Sequence, residues 1–205
     1  LAAAGVHPDL QAEGVELVPE VVAALPNFAT ANGPWLGSDR LSLHVGDARR
    51  YVRAMRPGRN RYDVVVADLF HPARDGAGAL YTAEHFQAIR EVLAPGGLFC
   101  QWLPLYQLDL PTLRTIVRTF GAVFPDARAF LVHYSLRQPI IGLVGGSGDI
   151  RYTQDWLRQR SRDPGLAREL NDLRLGSIFE VLGGFLGDAA ALQRFAGSGP
   201  LNTDD

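Results

Sequence analysis

Short runs of β-branched and other apolar residues alternate along the chain with amphipathic segments. This alternation is typical of strands and helices that follow one another over a largely parallel sheet. It predicts strands at residues 14–18, 41–45, 62–68 and 98–103, and an antiparallel pair at 129–133 and 139–144. It predicts helices at residues 20–25, 48–55, 82–93 and 110–120, with Pro19 at the start of the first and Thr82 as the N-cap of the third.

Three segments extend this picture to the whole chain. Tyr62–Asp68 holds three consecutive valines, which suit burial on both faces and predict a central strand. From Arg151 onward the apolar period becomes helical, so we expect residues 151–205 to cover the sheet. Leu1–Gly5 fits a helix that follows a glycine-rich turn, and the first strand is then missing. The sequence predicts one N-terminally truncated α/β domain over residues 1–205, with a mostly parallel sheet and helices on both faces.

Composition narrows the function classes. The 205 residues carry 20 basic side chains, all arginine, and 22 acidic ones, for a net charge of −2, which excludes a basic nucleic-acid-binding protein. One cysteine allows no internal disulfide and favours a reducing compartment, so we predict a cytoplasmic location. The five histidines are too dispersed for a ligand set, and we predict no metal.

Three acidic residues, Glu16, Asp47 and Asp68, follow predicted strands. In open α/β sheets ligands bind beyond the carboxyl ends of the strands, where such carboxylates can accept ribose hydroxyls or the exocyclic amine of adenine. The alternative is that each acid caps a helix or faces water. The sequence therefore indicates a nucleoside site at this edge of the sheet and leaves the alternative open.

Six stretches follow one another in a recognisable order: Val15–Val22, Leu43–Ala48, Tyr62–Pro72, Leu80–Phe86, Pro95–Gln101 and Leu201–Asp205. Together they resemble the spermidine/spermine synthase family of polyamine aminopropyltransferases over nearly the whole chain, whereas generic methyltransferases share only the early stretches. The resemblance implies a Rossmann-like fold of the S-adenosylmethionine-dependent transferase type. It also implies decarboxylated S-adenosylmethionine as co-substrate and an amine acceptor such as putrescine.

Site residues follow from the resemblance by position. It implies that Glu16 holds the donor ribose, that Asp47 and the Ala48 amide bind adenine, and that Asp68 is the catalytic acid of the family's Asp-x-x-Asp-Pro motif. An acceptor amine has a pKa near ~10 and arrives protonated, so a carboxylate that attracts it and takes its proton suits the reaction.

The part of the predicted pocket that would hold the acceptor amine departs from the family pattern at one motif position. His71 stands where the motif has its second Asp, and an imidazole is a poor anchor for an ammonium group. The resemblance also assigns Gln101 and Tyr134 to the substrate pocket. Sequences with the Asp-Leu-Phe-His-Pro variant resemble a divergent branch of the family that is often fused to a membrane-spanning segment, which would lie outside these residues. The family's N-terminal β-hairpin domain, which closes the polyamine site and supports dimers, is absent from these residues; a homodimer is kept as an expectation from the resemblance.

Two other functions stay open on the same residues. One is an S-adenosylmethionine-dependent methyltransferase, and the other is an inactive nucleoside-binding domain of a membrane protein. The leading interpretation is an aminopropyltransferase similar to spermidine synthase, a transferase of polyamine biosynthesis.

Overall fold

The structure is a computed structural model that describes residues 7, 9–28, 38–55, 62–68, 76–133, 135, 137–148 and 153–204. Its strands are β1 (Ala12–Glu16), β2 (Leu41–Val45), β3 (Tyr62–Ala67), β4 (Leu93–Pro104), β5 (Arg128–His133), β6 (Ile140–Gly146) and β7 (Phe185–Gly187). Its helices are α1 (Pro19–Ala24), α2 (Ala48–Ala54), α3 (Ala83–Val92), α4 (Leu110–Val123), α5 (Gln154–Arg160), α6 (Pro164–Asp172), α7 (Ile178–Gly183) and α8 (Ala189–Ala196). The predicted helix at Leu1–Gly5 lies outside the described residues.

The strands form two sheets. One is the parallel pair β1–β2, and the other has five strands in the order β3-β4-β6-β5-β7. Within the described residues β3 and β4 are parallel, whereas β6 runs antiparallel to β4 and β5, and β7 runs antiparallel to β5. The α/β class is confirmed, and the sheet is more mixed than predicted. The connection from β5 to β6 spans only six residues (134–139), too short for the crossover that parallel strands need, so the chain returns antiparallel.

Element boundaries follow the hydrophobic pattern closely. Pro19 opens α1, and the Thr82 hydroxyl accepts a hydrogen bond from the His85 amide at 3.3 Å as the N-cap of α3. β4 begins directly after α3 and runs through Pro95–Gly97, where its register with β3 shifts. Gly97 is required there, because an added Cβ would lie 2.7 Å from the Tyr62 carbonyl oxygen.

The apolar core lies between β4, α3 and α4. Four phenylalanines there have no exposed surface, and their ring centroids lie 4.8–6.0 Å apart. They are Phe86, Phe99, Phe120 and Phe124. Packed aromatic rings at these separations add specific contacts to the area that they bury. Among the described residues the core is therefore built from the part of the chain that begins at Tyr81.

The prediction that Tyr62–Asp68 forms a central strand is wrong for the described part of the structure. β3 is the edge of the five-stranded sheet, and β4 is the neighbour with which it pairs. Val64 is 58% exposed and Val66 is 55% exposed, whereas Val65 packs against the core. The strand buries one face only, so a run of valines at this place reflects β propensity rather than burial on both sides.

The segment after Thr153 is helical, as predicted, except for β7. Its four helices begin at N-caps whose side chains accept backbone hydrogen bonds, namely Thr153, Asp163, Ser177 and Asp188. The three residues of β7 extend the five-stranded sheet beside β5. Among the described residues no helix has both the length and the apolar content needed to cross a bilayer.

Candidate active site

Glu16 and Asp47 lie together at the carboxyl ends of β1 and β2. Glu16 is in register with Val45, and the Gly46 amide donates to the Glu16 carbonyl oxygen at 2.9 Å. This bond ties the two strand ends together just before Asp47. The pair of carboxylates predicted to bind a nucleoside is thus brought to one edge by two short parallel strands.

Each of these carboxylates already makes a local hydrogen bond. Glu16 Oε1 accepts from the Val18 amide at 2.9 Å, and Asp47 Oδ1 accepts from the Arg50 amide at 2.8 Å as the N-cap of α2. The helix-capping role that the sequence left open for Asp47 is therefore real. A carboxylate has two oxygens with four lone pairs, so capping does not exclude ligand binding by the same side chain.

Asp68 and Gln101 lie at neighbouring positions in the other sheet. Asp68 follows the last residue of β3, Ala67, which is in register with Gln101 on β4. Asp68 is exposed, whereas Gln101 has no exposed surface. Gln101 Nε2 donates to the Trp102 carbonyl oxygen at 3.1 Å, and Gln101 Oε1 is buried without a hydrogen-bond partner among the described residues.

An unpaired buried acceptor destabilises a folded chain by about 1–3 kcal/mol. A ligand that donates a hydrogen bond to Gln101 Oε1 would remove that penalty. His71 and Tyr134, the other two residues assigned to this pocket, lie outside the described residues. The structure thus brings the strand ends before Asp47 and at Glu16 together in one sheet, and in the other it places Asp68 one residue beyond the strand position that pairs with Gln101.

The sequence did not predict a polar cluster in which α2 meets Asp204. Arg49 and Arg53 are one helical turn apart on α2, and both form ion pairs with Asp204, the Arg53 contact being 2.5 Å. The Asp204 amide donates to Glu84 Oε2 at 3.1 Å. Burial opposes ionisation of Asp204, but hydrogen bonds from Thr82 and the two arginines outweigh it and lower its pKa to about 2. The ion pairs hence persist at neutral pH.

His85 is buried beside this cluster. Its pKa is lowered to about 4, first by burial and then by the positive charges of Arg49 and Arg53, while Asp47 and Asp204 act in the opposite direction. Its Nδ1 has no hydrogen-bond partner among the described residues. The ring is therefore neutral at physiological pH and fills the space between α2 and α3.

Little in the sequence indicates that Arg49, Arg53 and Asp204 form a cluster. Two arginines at i and i+4 on one helix are ordinary for a solvated surface. Arg53 and Asp204 are 151 residues apart, and nothing local shows that they meet. No set of three His, Cys, Asp or Glu side chains lies close enough to hold a metal ion in the part of the chain that the structure describes.

Comparisons of the sequence with known proteins point to one family. Residues 17–136 match the spermine/spermidine synthase domain. A polyamine aminopropyltransferase 2 from Hyperthermus butylicus is 29% identical over 143 residues, which is 69% of this chain and 44% of that protein. The chain thus spans less than half the length of this curated relative.

Solved structures give the same fold at lower identity. A probable spermidine synthase from Corynebacterium glutamicum matches with a TM-score of 0.68 at 22% identity, over 98% of this chain and 66% of the other. Human methyltransferase-like protein 13 in complex with SAH matches with a TM-score of 0.62 at 19% identity, over 83% of this chain and 75% of the other. The fold is therefore one that aminopropyltransferases and methyltransferases share.

Proposed function

This chain belongs to the spermine/spermidine synthase family, and we propose that it transfers an aminopropyl group from decarboxylated S-adenosylmethionine to an amine acceptor such as putrescine. The observation that carries the proposal is the pair of hydrogen-bond acceptors, Asp68 and Gln101, at adjacent strand positions. A carboxylate and an unpaired amide oxygen at neighbouring backbone positions suit a ligand rich in N–H donors. Both the acceptor amine and the ammonium end of the decarboxylated donor are such ligands.

The donor nucleoside would bind at the ends of β1 and β2. Glu16 would accept the two ribose hydroxyls, since adjacent hydroxyls match the two oxygens of one carboxylate. Asp47 would accept the exocyclic amine of adenine. The Ala48 amide is the first of α2, where helices lack intrahelical partners for their N–H groups, and it would donate to a ring nitrogen.

The chemistry would take place at Asp68. A cationic amine is drawn to the carboxylate, which orients it and accepts a proton from it. The neutral nitrogen then attacks the methylene carbon beside the sulfonium. A C–N bond forms, the C–S bond breaks with its electron pair left on sulfur, and the neutral thioether nucleoside leaves. No metal is needed, because the sulfonium is already a good leaving group.

Charge distinguishes the two donors that fit this fold. S-adenosylmethionine carries a carboxylate where the decarboxylated compound has only an ammonium group. Asp68 would repel the first and attract the second, so it would favour aminopropyl over methyl transfer. The alternative, methyl transfer, is supported by the fold shared with human methyltransferase-like protein 13.

Calorimetric titration separates these functions. Tighter binding of decarboxylated S-adenosylmethionine than of the parent compound supports the proposal, and the reverse order supports methyl transfer. Binding of neither compound by the full-length protein supports the third interpretation, a nucleoside-binding domain of a membrane protein that has lost its activity.

Asp68→Asn tests the catalytic assignment. We expect turnover to fall about 100-fold to 10,000-fold, as removal of a general base does, with donor affinity changed less than about threefold. The matched control is Asp63→Asn, an exposed acid at the start of the same strand, which should keep full turnover. Equal turnover of Asp68→Asn and the control would contradict the assignment.

His71→Asp tests the departure from the family motif. Restoring the second acid should lower the KM for a diamine acceptor, because a carboxylate anchors an ammonium group and an imidazole does not. An unchanged diamine KM would show that another acceptor is used. The single domain over residues 1–205, the cytoplasmic location, the homodimer and a fused membrane segment stay predictions.

A further inference from the structure

α2 begins at the residues proposed to bind adenine, yet none of its seven residues is fully buried. An amphipathic helix is usually fixed in place by its apolar face. Here Val52 packs against the edge of the core, and most of the specific contacts are polar. The Tyr51 hydroxyl donates to Glu13 on β1 at 3.0 Å, and Arg49 and Arg53 contact Asp204.

Asp204 belongs to residues 201–204, a segment outside helix and strand that several hydrogen bonds attach to the rest of the protein. The Asn202 amide donates to the Thr119 hydroxyl of α4 at 2.9 Å, and the Asn202 carbonyl accepts from the Ala83 amide of α3 at 2.9 Å. The Asn202 side-chain amide donates to the Gly78 carbonyl at 2.9 Å. Thr119 has no exposed surface, so the segment is anchored in the core. It therefore provides a rigid support for the Asp204 carboxylate.

The Asp204 carboxylate is the link between that support and α2. The Arg49 side chain is only 16% exposed and that of Asp204 is 25% exposed, so this pair is better shielded from water than a surface ion pair. Without Asp204, the two guanidinium groups one turn apart on α2 would lose the carboxylate that they share. The ion pairs that connect α2 to residues 201–204, and through the Asp204 amide to Glu84 of α3, would be lost, so α2 would be less firmly held against α3.

We infer that Asp204 is a positioning residue for the donor nucleoside: through Arg49 and Arg53 it fixes the orientation of α2, and thus of Asp47 and the Ala48 amide. The inference rests on the proposed function, since it assigns to Asp47 and Ala48 the binding of adenine. Asp204 itself touches no reacting atom. Its loss should weaken donor binding and leave the chemical step at Asp68 unaffected.

The test is Asp204→Asn, which keeps the size of the side chain and the backbone contact to Glu84 but removes the charge. We expect the KM and Kd for decarboxylated S-adenosylmethionine to rise about tenfold, the size of effect that an indirect positioning contact usually has. We expect kcat at saturating donor to change less than twofold. Asp204→Glu should restore the KM to within about threefold of wild type, because the charge returns.

A second measurement does not depend on ligand. Amide hydrogen exchange of Arg50 and Tyr51 in α2 should speed up in Asp204→Asn, because α2 opens more often without its link to α3. The double variant Arg49→Gln with Asp204→Asn should raise the KM by less than the product of the two single fold-changes, since both substitutions remove the same interaction.

Asp188→Asn is the matched control. Asp188 is another acid near the end of the chain, and it caps α8 through a 2.9 Å hydrogen bond from the Ala191 amide, remote from α2. It should lower the melting temperature without changing the donor KM. A purely structural role for Asp204 would give the same pattern as this control.

The outcomes separate the inference from the proposed function. If the wild-type protein binds donor and Asp204→Asn binds it equally well, the inference is overturned and the proposed function stands. If the wild-type protein binds neither donor compound, the proposed function fails. Amide exchange in α2 then decides whether Asp204 positions that helix. Unchanged exchange in Asp204→Asn would overturn the positioning role of Asp204 as well, and faster exchange would support that role.

Discussion

The two halves of the molecule are held together by different forces. None of the residues that the structure describes before Tyr81 is fully buried, whereas the cluster of four phenylalanines after it excludes water completely. The first region contains β1, β2 and α2, with the proposed nucleoside site. The second contains the core and Gln101. We refer to them as the nucleoside region and the core region.

Polar contacts orient the nucleoside region, and apolar packing stabilises the core region. Tyr51 and Tyr62 both donate to Glu13, which joins α2 and β3 to β1. Hydrogen bonds are directional but contribute only about 1 kcal/mol each, whereas burial of one large side chain contributes about 2–3 kcal/mol. Substitutions in the core region should therefore change global stability, and substitutions in the nucleoside region should change local motion and ligand binding.

Phe120→Ala would sharpen this contrast most. Phe120 contacts three other phenylalanine rings and has no exposed surface, so we expect the free energy of unfolding to fall by about 3–5 kcal/mol. Denaturant unfolding measures the loss. Phe179→Ala is the control, because Phe179 is 82% exposed and its removal should change stability by less than about 0.5 kcal/mol. Similar losses in both variants would contradict the assignment of this stability to the buried phenylalanine cluster.

Acid pH should lower the free energy of unfolding through His85, which lies where the two regions meet. Its pKa is about 4 in the folded chain, below its ordinary value of 6.5, because it is buried and faces Arg49 and Arg53, with Asp47 and Asp204 only partly compensating. Between pH 4 and 6.5 the unfolded chain binds more protons, so stability rises with pH in this window and is lost as the pH falls. We expect a loss of about 3 kcal/mol from pH 7 to pH 4.

Denaturant unfolding at pH 7.0, 5.5 and 4.5 tests this linkage. His85→Gln should flatten the pH dependence, while the surface variant His7→Gln should keep it. The pKa of Asp204, about 2, places its own contribution at lower pH, where stability falls as the pH drops from about 4 toward 2. An unchanged slope in His85→Gln would assign the acid sensitivity to another group.

Tyr62→Phe should have the smallest effect and only in the nucleoside region. It removes one of the two hydroxyl donors to Glu13, and we expect about 1 kcal/mol less protection of β1 amides in hydrogen exchange. The global unfolding midpoint should hardly move. Burial and Glu13 raise the pKa of Tyr51 and of Tyr62, so wild-type stability should also decline above pH 10. The control is Tyr106→Phe, an exposed tyrosine; equal loss of β1 protection in both variants would contradict the role of Glu13.

The sequence predicts most of the fold because its signals are local. Strand 41–45 and the start of the helix at Ala48 agree with the structure, and Thr82 caps its helix as predicted. Predictions failed where tertiary context decides. Three valines could not show that β3 lies at an edge, and three residues, Phe185–Gly187, are too few for an alternation pattern to reveal β7.

The candidate site likewise contains residues that local sequence predicts and residues that only tertiary contacts bring together. Strand-end acids are visible in sequence, because their place follows from the strands, and the structure brings Glu16 beside Asp47. The roles assigned to Asp68 and Gln101 stay predictions that rest on the family motif. Arg49, His85 and Asp204 were missed, since what makes them a unit is proximity between distant segments, and no residue type or spacing records it.

The ion pair between α2 and Asp204 also has a consequence in time. A ribosome adds about 5–20 residues per second, so the 151 residues between Arg53 and Asp204 take ~8–30 s to synthesise. During that interval α2 is complete but its acidic partner does not yet exist. The nucleoside region of a nascent chain would thus acquire its final geometry only after the core region has emerged, and ligand binding would follow the folding of the core.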